Sequence, residues 1–319
     1  MPVTLAEAQK NVQDKLALGV IDEFRKSNFL LENLTFDDAV SPTGGGATLT
    51  YGYTRLITQP TAAFRAINSE YEPQEVTKQR YTADLKVFGG SFEIDRVIAS
   101  MGGIANEVTL QMQQKIKAAQ ALFNQTVILG DSAVDANAFD GLEKALTGSS
   151  TEFNGAVGDS AIDLSTSAAI DSNYKAFLDL LDEFLMGLDG TPGAIMGNTK
   201  LIAKIRGIAR RAGAATETKD SFGRNVVRYD SIPLVDLGAK SGSNDPVVPV
   251  TGGNTSLFAV RFGLDGFHGI SMAGQSPVKT WLPNFKEAGA VKKGEVEMVA
   301  AVALKATKAA GVFRKIKVS

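Results

Sequence analysis

Asp131, Asp135, Asn137 and Asp140 crowd into ten residues and invite a calcium site. A calcium loop takes oxygen ligands at alternate positions, with glycine at the sixth and glutamate at the twelfth. The spacing here fails that pattern, so the group reads as a polar turn. The single histidine, His268, lies in Gly266-Phe267-His268-Gly269-Ile270. Its chemical reading is a general base; its plainer reading, the one expected here, is a satisfied histidine in a strand or loop. Cysteine is absent, which excludes disulfides and thiolate zinc sites. Gly274-Gln275-Ser276-Pro277 lacks the last glycine of a nucleophile elbow. Gly44-Gly45-Gly46-Ala47 lacks the lysine of a phosphate loop and reads as a joint. Adjacent carboxylates such as Asp182-Glu183 diverge on a helix, and no motif favours paired-carboxylate catalysis. Lys200, Lys204, Arg206, Arg210 and Arg211 form the strongest basic cluster. They carry no interleaved aromatic for base stacking, so a charged helix face or a protein contact is expected there.

The chain that positions these groups has 319 residues, 44% hydrophobic, with a net charge of −2. That composition supports a folded core, and the charge does not argue for nucleic acid as principal partner. The first residues lack a basic segment followed by an apolar one, so no signal peptide is expected. No apolar run approaches the length of a membrane span. Charge is segregated: residues 131–189 hold 12 acidic and 2 basic groups, whereas 200–228 hold 8 basic and 2 acidic. Residues 286–319 hold 8 basic and 3 acidic. Opposite-signed surfaces on one chain fit self-association, or they cancel within one copy as solvated faces.

Periodicity supplies the elements. Residues 5–26 read as a weakly amphipathic helix, followed by loop chemistry at Ser41-Pro42-Thr43-Gly44-Gly45-Gly46, so the first fifty residues read as an arm. Tyr51, Tyr53, Arg55 and Ile57 share one alternation, and Tyr81 to Val87 alternates again. Between them lies a polar stretch with Glu70, Glu72, Pro73, Glu75 and Lys78. This predicts an extended β-hairpin. Such a ribbon is marginal unsupported, and the pattern leaves open whether it packs on its own domain or on another chain.

After Gly102-Gly103, Ile104, Val108, Met112, Ile116, Ala119, Phe123 and Val127 predict a long amphipathic helix of roughly 40 Å. Gly130-Asp131 ends it. A second helix, capped by Asp171 or Ser172, carries Tyr174, Phe177, Leu178, Leu181, Phe184, Leu185 and Leu188 on one face. Ala194-Ile195-Met196 is a short apolar run. Asn198 or Thr199 then caps a third helix with Leu201, Ile202, Ile205 and Ile208. Strands are expected at 225–228, 232–235, 257–262 and 268–272. Residues 296–318 alternate irregularly and end strand-like. Helices and strands are not regularly interleaved, so the fold class is α+β.

This order resembles the major capsid proteins of tailed bacteriophages with the Hong Kong 97-type fold. Gly90-Ser91-Phe92-Glu93-Ile94-Asp95 is similar to that family's return strand and entry to its spine helix. Leu129-Gly130-Asp131 with Phe139-Asp140-Gly141-Leu142 resembles its loop after the spine. Ala194-Ile195-Met196-Gly197-Asn198-Thr199 resembles its axial strand running into a capped helix. Ile232-Pro233-Leu234-Val235 and Leu257-Phe258-Ala259-Val260 are similar to its next strands.

The resemblance implies an N-terminal arm (1–50), an E-loop hairpin (51–95), and a peripheral domain with the spine helix (96–148 and 290–319). It also implies an axial domain (149–289). It implies a structural protein, not an enzyme, with no cofactor and no metal. Hexamers and pentamers would form an icosahedral phage head around double-stranded DNA. The partners implied are other copies, a portal, DNA held non-specifically, and no membrane. Only about fifty residues precede the hairpin, which suggests a separate scaffolding protein. The location implied is the virion capsid, assembled in the host bacterial cytoplasm. Arg65, Glu70, Tyr71, Glu72, Lys78 and Arg80 are the expected inter-subunit contacts of the E-loop. No covalent crosslinks are expected. The alternatives are an encapsulin-type nanocompartment shell, a carboxylate-dependent enzyme, or a nucleic-acid module using the Arg206–Arg211 face.

Overall fold

The computed structural model describes residues 29–40, 48–101, 107–155, 160–213, 216–219 and 225–319. The chain opens with helix α1 (Phe29–Asn33) and strands β1 (Phe36–Val40), β2 (Thr50–Leu56), β3 (Lys78–Asp84) and β4 (Lys86–Asp95). Helices α2 (Arg96–Ser100), α3 (Glu107–Leu129) and α4 (Leu142–Leu146) follow, then β5 (Glu152–Asn154) and β6 (Ile162–Asp163). Next come α5 (Ser167–Met186), β7 (Ala194–Gly197), α6 (Thr199–Arg211), β8 (Thr216–Lys219), β9 (Asn225–Tyr229) and β10 (Ile232–Asp236). The chain closes with β11 (Asn254–Val260), β12 (Phe267–Met272), β13 (Val278–Trp281), β14 (Val291–Leu304) and β15 (Ala310–Lys317).

These strands make two large sheets and one two-stranded ribbon. In the five-stranded sheet, β14 is the hub: it pairs antiparallel with β4, β12 and β13, and β1 runs parallel to β12. The eight-stranded sheet runs β5-β15-β11-β7-β10-β9-β8, with β6 also on β15. The ribbon is β2 with β3, from Thr50↔Asp84 to Leu56↔Lys78.

Alternation along the strands divides the core. In β7, Ala194 and Met196 face a central cluster while Ile195 faces another. In β11, Phe258 and Val260 face the centre while Leu257 and Ala259 face away. The outer cluster is closed by α5 through Phe177, Leu181 and Phe184, and by α6 through Leu201, Ile202, Ile205 and Ile208. Burying both faces of a strand leaves little room for polar side chains, which is why Ala194–Met196 and Leu257–Val260 are apolar throughout.

The long helix α3 serves two clusters. Its first half lays Met112 and Ala119 on Phe92, Ile94 and Val296 of β4 and β14. Its second half puts Phe123 into the centre, against Phe36, Phe88 and Phe139 at 5.8–6.2 Å between ring centroids. Its 23 residues span about 35 Å. Gly130 ends it, its amide donating to the Thr126 carbonyl. Gly89 lets β4 lie flush on β14, since a Cβ there would stand 2.0 Å from the Val296 carbonyl oxygen.

Within the expected arm, Leu30, Leu34 and Val40 are buried and β1 joins the five-stranded sheet. The helix expected at 5–26, the Ser41–Gly46 loop, and Gly102, Gly103 and Ile104 lie outside the described residues. Strand pairing redraws the expected segments. β4 falls within 51–95 yet belongs to the five-stranded sheet, so the hairpin proper is β2, β3 and the residues between them. β12 and β13 fall within 149–289 but pair with β14; β15 falls within 290–319 but pairs with β11. Helix α5 starts before Asp171, because the Thr166 hydroxyl accepts the Ala169 amide and caps it there. Asn198 caps α6 as expected, accepting the Lys200 amide.

Candidate assembly surface

The hairpin is clamped at its root and exposed beyond it. On β2, Tyr51, Tyr53 and Arg55 face inward and Gly52, Thr54 and Leu56 outward, as a period of two requires. The Tyr51 hydroxyl donates to an Asp37 carboxylate oxygen at 2.7 Å, and the Tyr53 hydroxyl to the Leu304 carbonyl at 3.0 Å. Arg55 is the hinge pin. Its Nε donates to the Lys305 carbonyl at 2.8 Å, one Nη to the Thr307 hydroxyl at 3.3 Å, and the other to the Leu304 carbonyl. Its guanidinium lies 4.3 Å from the Tyr81 ring centroid, and Tyr53 stacks on Tyr81 at 5.8 Å. Burial pushes the Tyr51 and Tyr53 phenols up.

His268 lies beneath this root. It is fully buried in β12, edge-on to the Tyr51 ring at 5.7 Å. The strand placement is as expected; among the described residues neither ring nitrogen has a partner in good hydrogen-bond geometry, and the Gly266 backbone stands near enough to act on the ring. The ring is packed as an aromatic wedge between the ribbon and the sheet. Burial pushes its pKa down; Lys305 adds to this, and Asp37 and the Gly266 backbone oppose it.

Beyond Leu56 the ribbon carries residues 57–77 with no strand pairing, nearly all exposed. Cross-ties hold its two sides. The Ile57 amide donates to the Thr77 carbonyl at 2.9 Å, and the Thr61 amide to the Gln74 side-chain oxygen at 2.7 Å. The tip turns at Ala66–Ser69, with Asn68 in the left-handed region at φ 67°, a conformation asparagine tolerates.

The structure places the expected contact residues along this one projection. Arg65 donates to the Ala66 and Ser69 carbonyls and its guanidinium stands 5.5 Å from the Tyr71 ring centroid, so those two residues brace the tip. Glu70 and Glu72 are exposed beside Tyr71. Lys78 and Arg80 lie on β3 opposite Leu56 and Thr54, with the Arg80 guanidinium over Gly52. Reasoning from charge missed Phe64 and Ile67, which are fully and 90% exposed at the tip. The available signal was two large apolar residues in a polar stretch with no helical or strand period.

Elsewhere, the acidic turn is tied up internally. Asp131, Asp135 and Asp140 accept the amides of Ala133, Asn137 and Ser132, and Lys144 bridges Asp131 and Asp140 at 2.7 and 2.9 Å. Among the described residues, no group of three His, Asp or Glu stands close enough to hold a metal ion. The Lys144 ammonium holds the Asp131 carboxyl below the usual carboxylate range, and the Arg261 guanidinium does the same for Asp265. Bonds from Ser165, then Lys317, hold Asp163 at about 2. A general acid requires the opposite shift. In the basic cluster, Lys204 donates to the Leu164 and Ser165 carbonyls and Arg211 pairs with Asp171 at 2.9 Å, stitching α6 to α5. No described helix is long and apolar enough to cross a membrane.

No protein-family model matches the chain, and no curated protein matches it in sequence. Solved structures match its whole length. The encapsulin of the holo-SrpI complex from Synechococcus elongatus PCC 7942 shares 15% identity at a TM-score of 0.65, covering 100% of this chain and 98% of that one. The capsid of Myoviridae phage XM1 shares 11% at 0.59, covering 95% and 97%. A structure from Mycobacterium phage Bobi shares 13% at 0.59, covering 98% and 99%. The chain therefore has the α+β fold of these shells, the Hong Kong 97-type capsid fold.

Proposed function

From that fold we propose that the chain is a major capsid protein, many copies of which close into an icosahedral phage head around double-stranded DNA. The observation that carries this reading is the hairpin: Phe64 and Ile67 are held out in water by a braced tip on a clamped root. Exposed apolar side chains on an ordered projection are stabilised by covering them, and a neighbouring copy supplies the cover. In this reading residues 57–77 with Arg65, Glu70, Tyr71, Glu72, Lys78 and Arg80 form the E-loop contact. α3 is the spine, and the eight-stranded sheet with α5 and α6 surrounds the axis of each hexamer or pentamer. A scaffolding protein, a portal and packaged DNA belong to the same reading.

A second reading is an encapsulin-type nanocompartment, and the TM-score of 0.65 to the cyanobacterial encapsulin favours it. Both readings predict closed shells by electron microscopy, of the chain alone or together with its scaffolding protein. The contents separate them. Nuclease-resistant double-stranded DNA in particles from the native source supports the phage head; a co-purified enzyme without DNA supports the nanocompartment. A uniform small oligomer, unchanged by concentration and by co-expression with the scaffolding protein, would defeat both.

A further inference from the structure

Two features on the helical layer of the eight-stranded sheet match each other, and neither is used by the hairpin. At the end of α5, Met186 is 85% exposed. Glu183 and Asp182, three and four residues back, share its face and are exposed, and Asp179 lies further along. The thioether is thus an apolar knob with an acidic rim. The Asp182 carboxylate also accepts the Tyr229 hydroxyl at 2.6 Å, which fixes this end of the rim.

The counterpart is a hollow of about 380 Å³ on α6, lined by Ile170, Lys200, Ala203, Lys204, Gly207 and Arg211. The α6 residues recur three and four apart, so they form one stripe. Ile170, Ala203 and Gly207 make an apolar floor; Lys200, Lys204 and Arg211 make a basic rim, in which Lys204 also donates to the Leu164 and Ser165 carbonyls and Arg211 also pairs with Asp171. Gly207 sits inside a helix, where glycine is about 1 kcal/mol worse than alanine. A Cβ there would meet nothing within 4 Å, so packing within the copy does not require glycine.

We infer that Met186 of one copy seats in the Ile170–Ala203–Gly207 hollow of a second copy, its acidic rim facing the basic rim of Lys200, Lys204 and Arg211. The inference rests on the shell reading. A copy cannot fill its own hollow: Ile170 and Met186 are on one rigid helix, about 24 Å apart at 1.5 Å per residue. Knob and hollow are different surfaces, so the contact is head-to-tail and makes rings where the rotation closes. A central apolar anchor inside a charged rim is also the usual form of an energetic hot spot.

The test is assembly of the full chain followed by sedimentation velocity and electron microscopy, with thermal melts alongside. Gly207→Leu fills the hollow, and Met186→Ala removes the knob from a solvent-exposed site. Both should raise the concentration needed for assembly about tenfold or more, with melts no lower than the unmodified chain. Gly207→Ala and Met186→Leu should assemble normally, because the first leaves the hollow open and the second restores an apolar knob. Normal assembly of Gly207→Leu and Met186→Ala overturns the inference and leaves the shell reading standing. If the unmodified chain forms neither rings nor shells, the shell reading falls and the inference with it.

Discussion

At the root of the hairpin, Tyr51, Tyr53 and Arg55 direct their polar atoms to Asp37, Leu304, Lys305 and Thr307 of the same copy. At the tip, some ten residues further along the chain, Phe64 and Ile67 stand in water while Arg65 and Asn68 hold the turn beneath them. The root is complete in one copy. The tip is ordered yet unfinished. A single ribbon thus separates two tasks: polar groups satisfied internally fix where it points, and apolar groups left uncovered give a partner something to bury. If the comparison is right, the root governs stability and the tip governs association.

The largest effect is expected at the root. Arg55→Ala removes four charge-assisted hydrogen bonds, to Lys305, Thr307, Leu304 and Tyr53, and the stack on Tyr81. It should destabilise the chain by about 2 kcal/mol and raise hydrogen exchange in 50–56 and 78–84. Chemical denaturation and exchange mass spectrometry read both, and unchanged exchange would separate the root from Arg55. The tip comes next. Phe64→Ala with Ile67→Ala should leave the melting temperature within error, yet raise the assembly concentration about tenfold, which is about 1.4 kcal/mol. A lower melting temperature would mean that the tip packs on its own copy.

Smaller effects should follow from reversing Arg65, Glu70, Glu72, Lys78 or Arg80, one at a time. These are exposed rim charges worth about 1 kcal/mol or less each. Assembly should weaken a few-fold, with a loss that fades as salt screens it, and folding should not change. Light scattering across a salt series checks this. Normal shells from all five variants would remove these charges from the interface.

The smallest effect is a pH slope confined to the root. An unfolded histidine titrates near about 6.5, while burial holds folded His268 lower. As pH falls through about 6.5 the unfolded chain takes up a proton first, so stability is lost from there down to the folded value. Protonation would set a second cation beside Lys305 beneath Tyr51, offset in part by Asp37 and the Gly266 backbone. Relative to the intrinsic exchange rate at each pH, protection at 50–56 should therefore fall from about pH 7 to about pH 5, and His268→Leu should flatten that dependence. Protection at the tip, on the same scale, should stay level.

Wherever structure depends on local period, the residues announced it. Phe177, Leu181 and Phe184 laid a stripe on α5, Leu201, Ile202, Ile205 and Ile208 one on α6, and Tyr51, Tyr53 and Arg55 the inward edge of β2. Caps were legible where one side chain stood at a helix start, as at Asn198. They were misread at α5, where Ser165-Thr166-Ser167 and Asp171-Ser172 both offered hydroxyl or carboxylate caps. Of the candidate contact residues, the charged ones were legible because charge in a long polar insertion signals exposure. Phe64 and Ile67 were not, since an apolar residue without a period carries no mark of whether it turns inward.

By itself, then, the sequence determined the α+β class, the places of the long helix and the hairpin, and the lack of cysteine chemistry. Tertiary structure alone decided the rest. Phe36–Val40 fell within the expected arm with no strand announced, and it is a strand because β12 offers a parallel edge far along the chain. β14 and β15 follow one another closely yet enter different sheets, because Val291–Leu304 pairs with β4 and Ala310–Lys317 with β11. Alternation gives each strand two faces but says nothing of its neighbours. Register and partner are fixed by contacts distant in sequence, and those exist only once the sheets have closed.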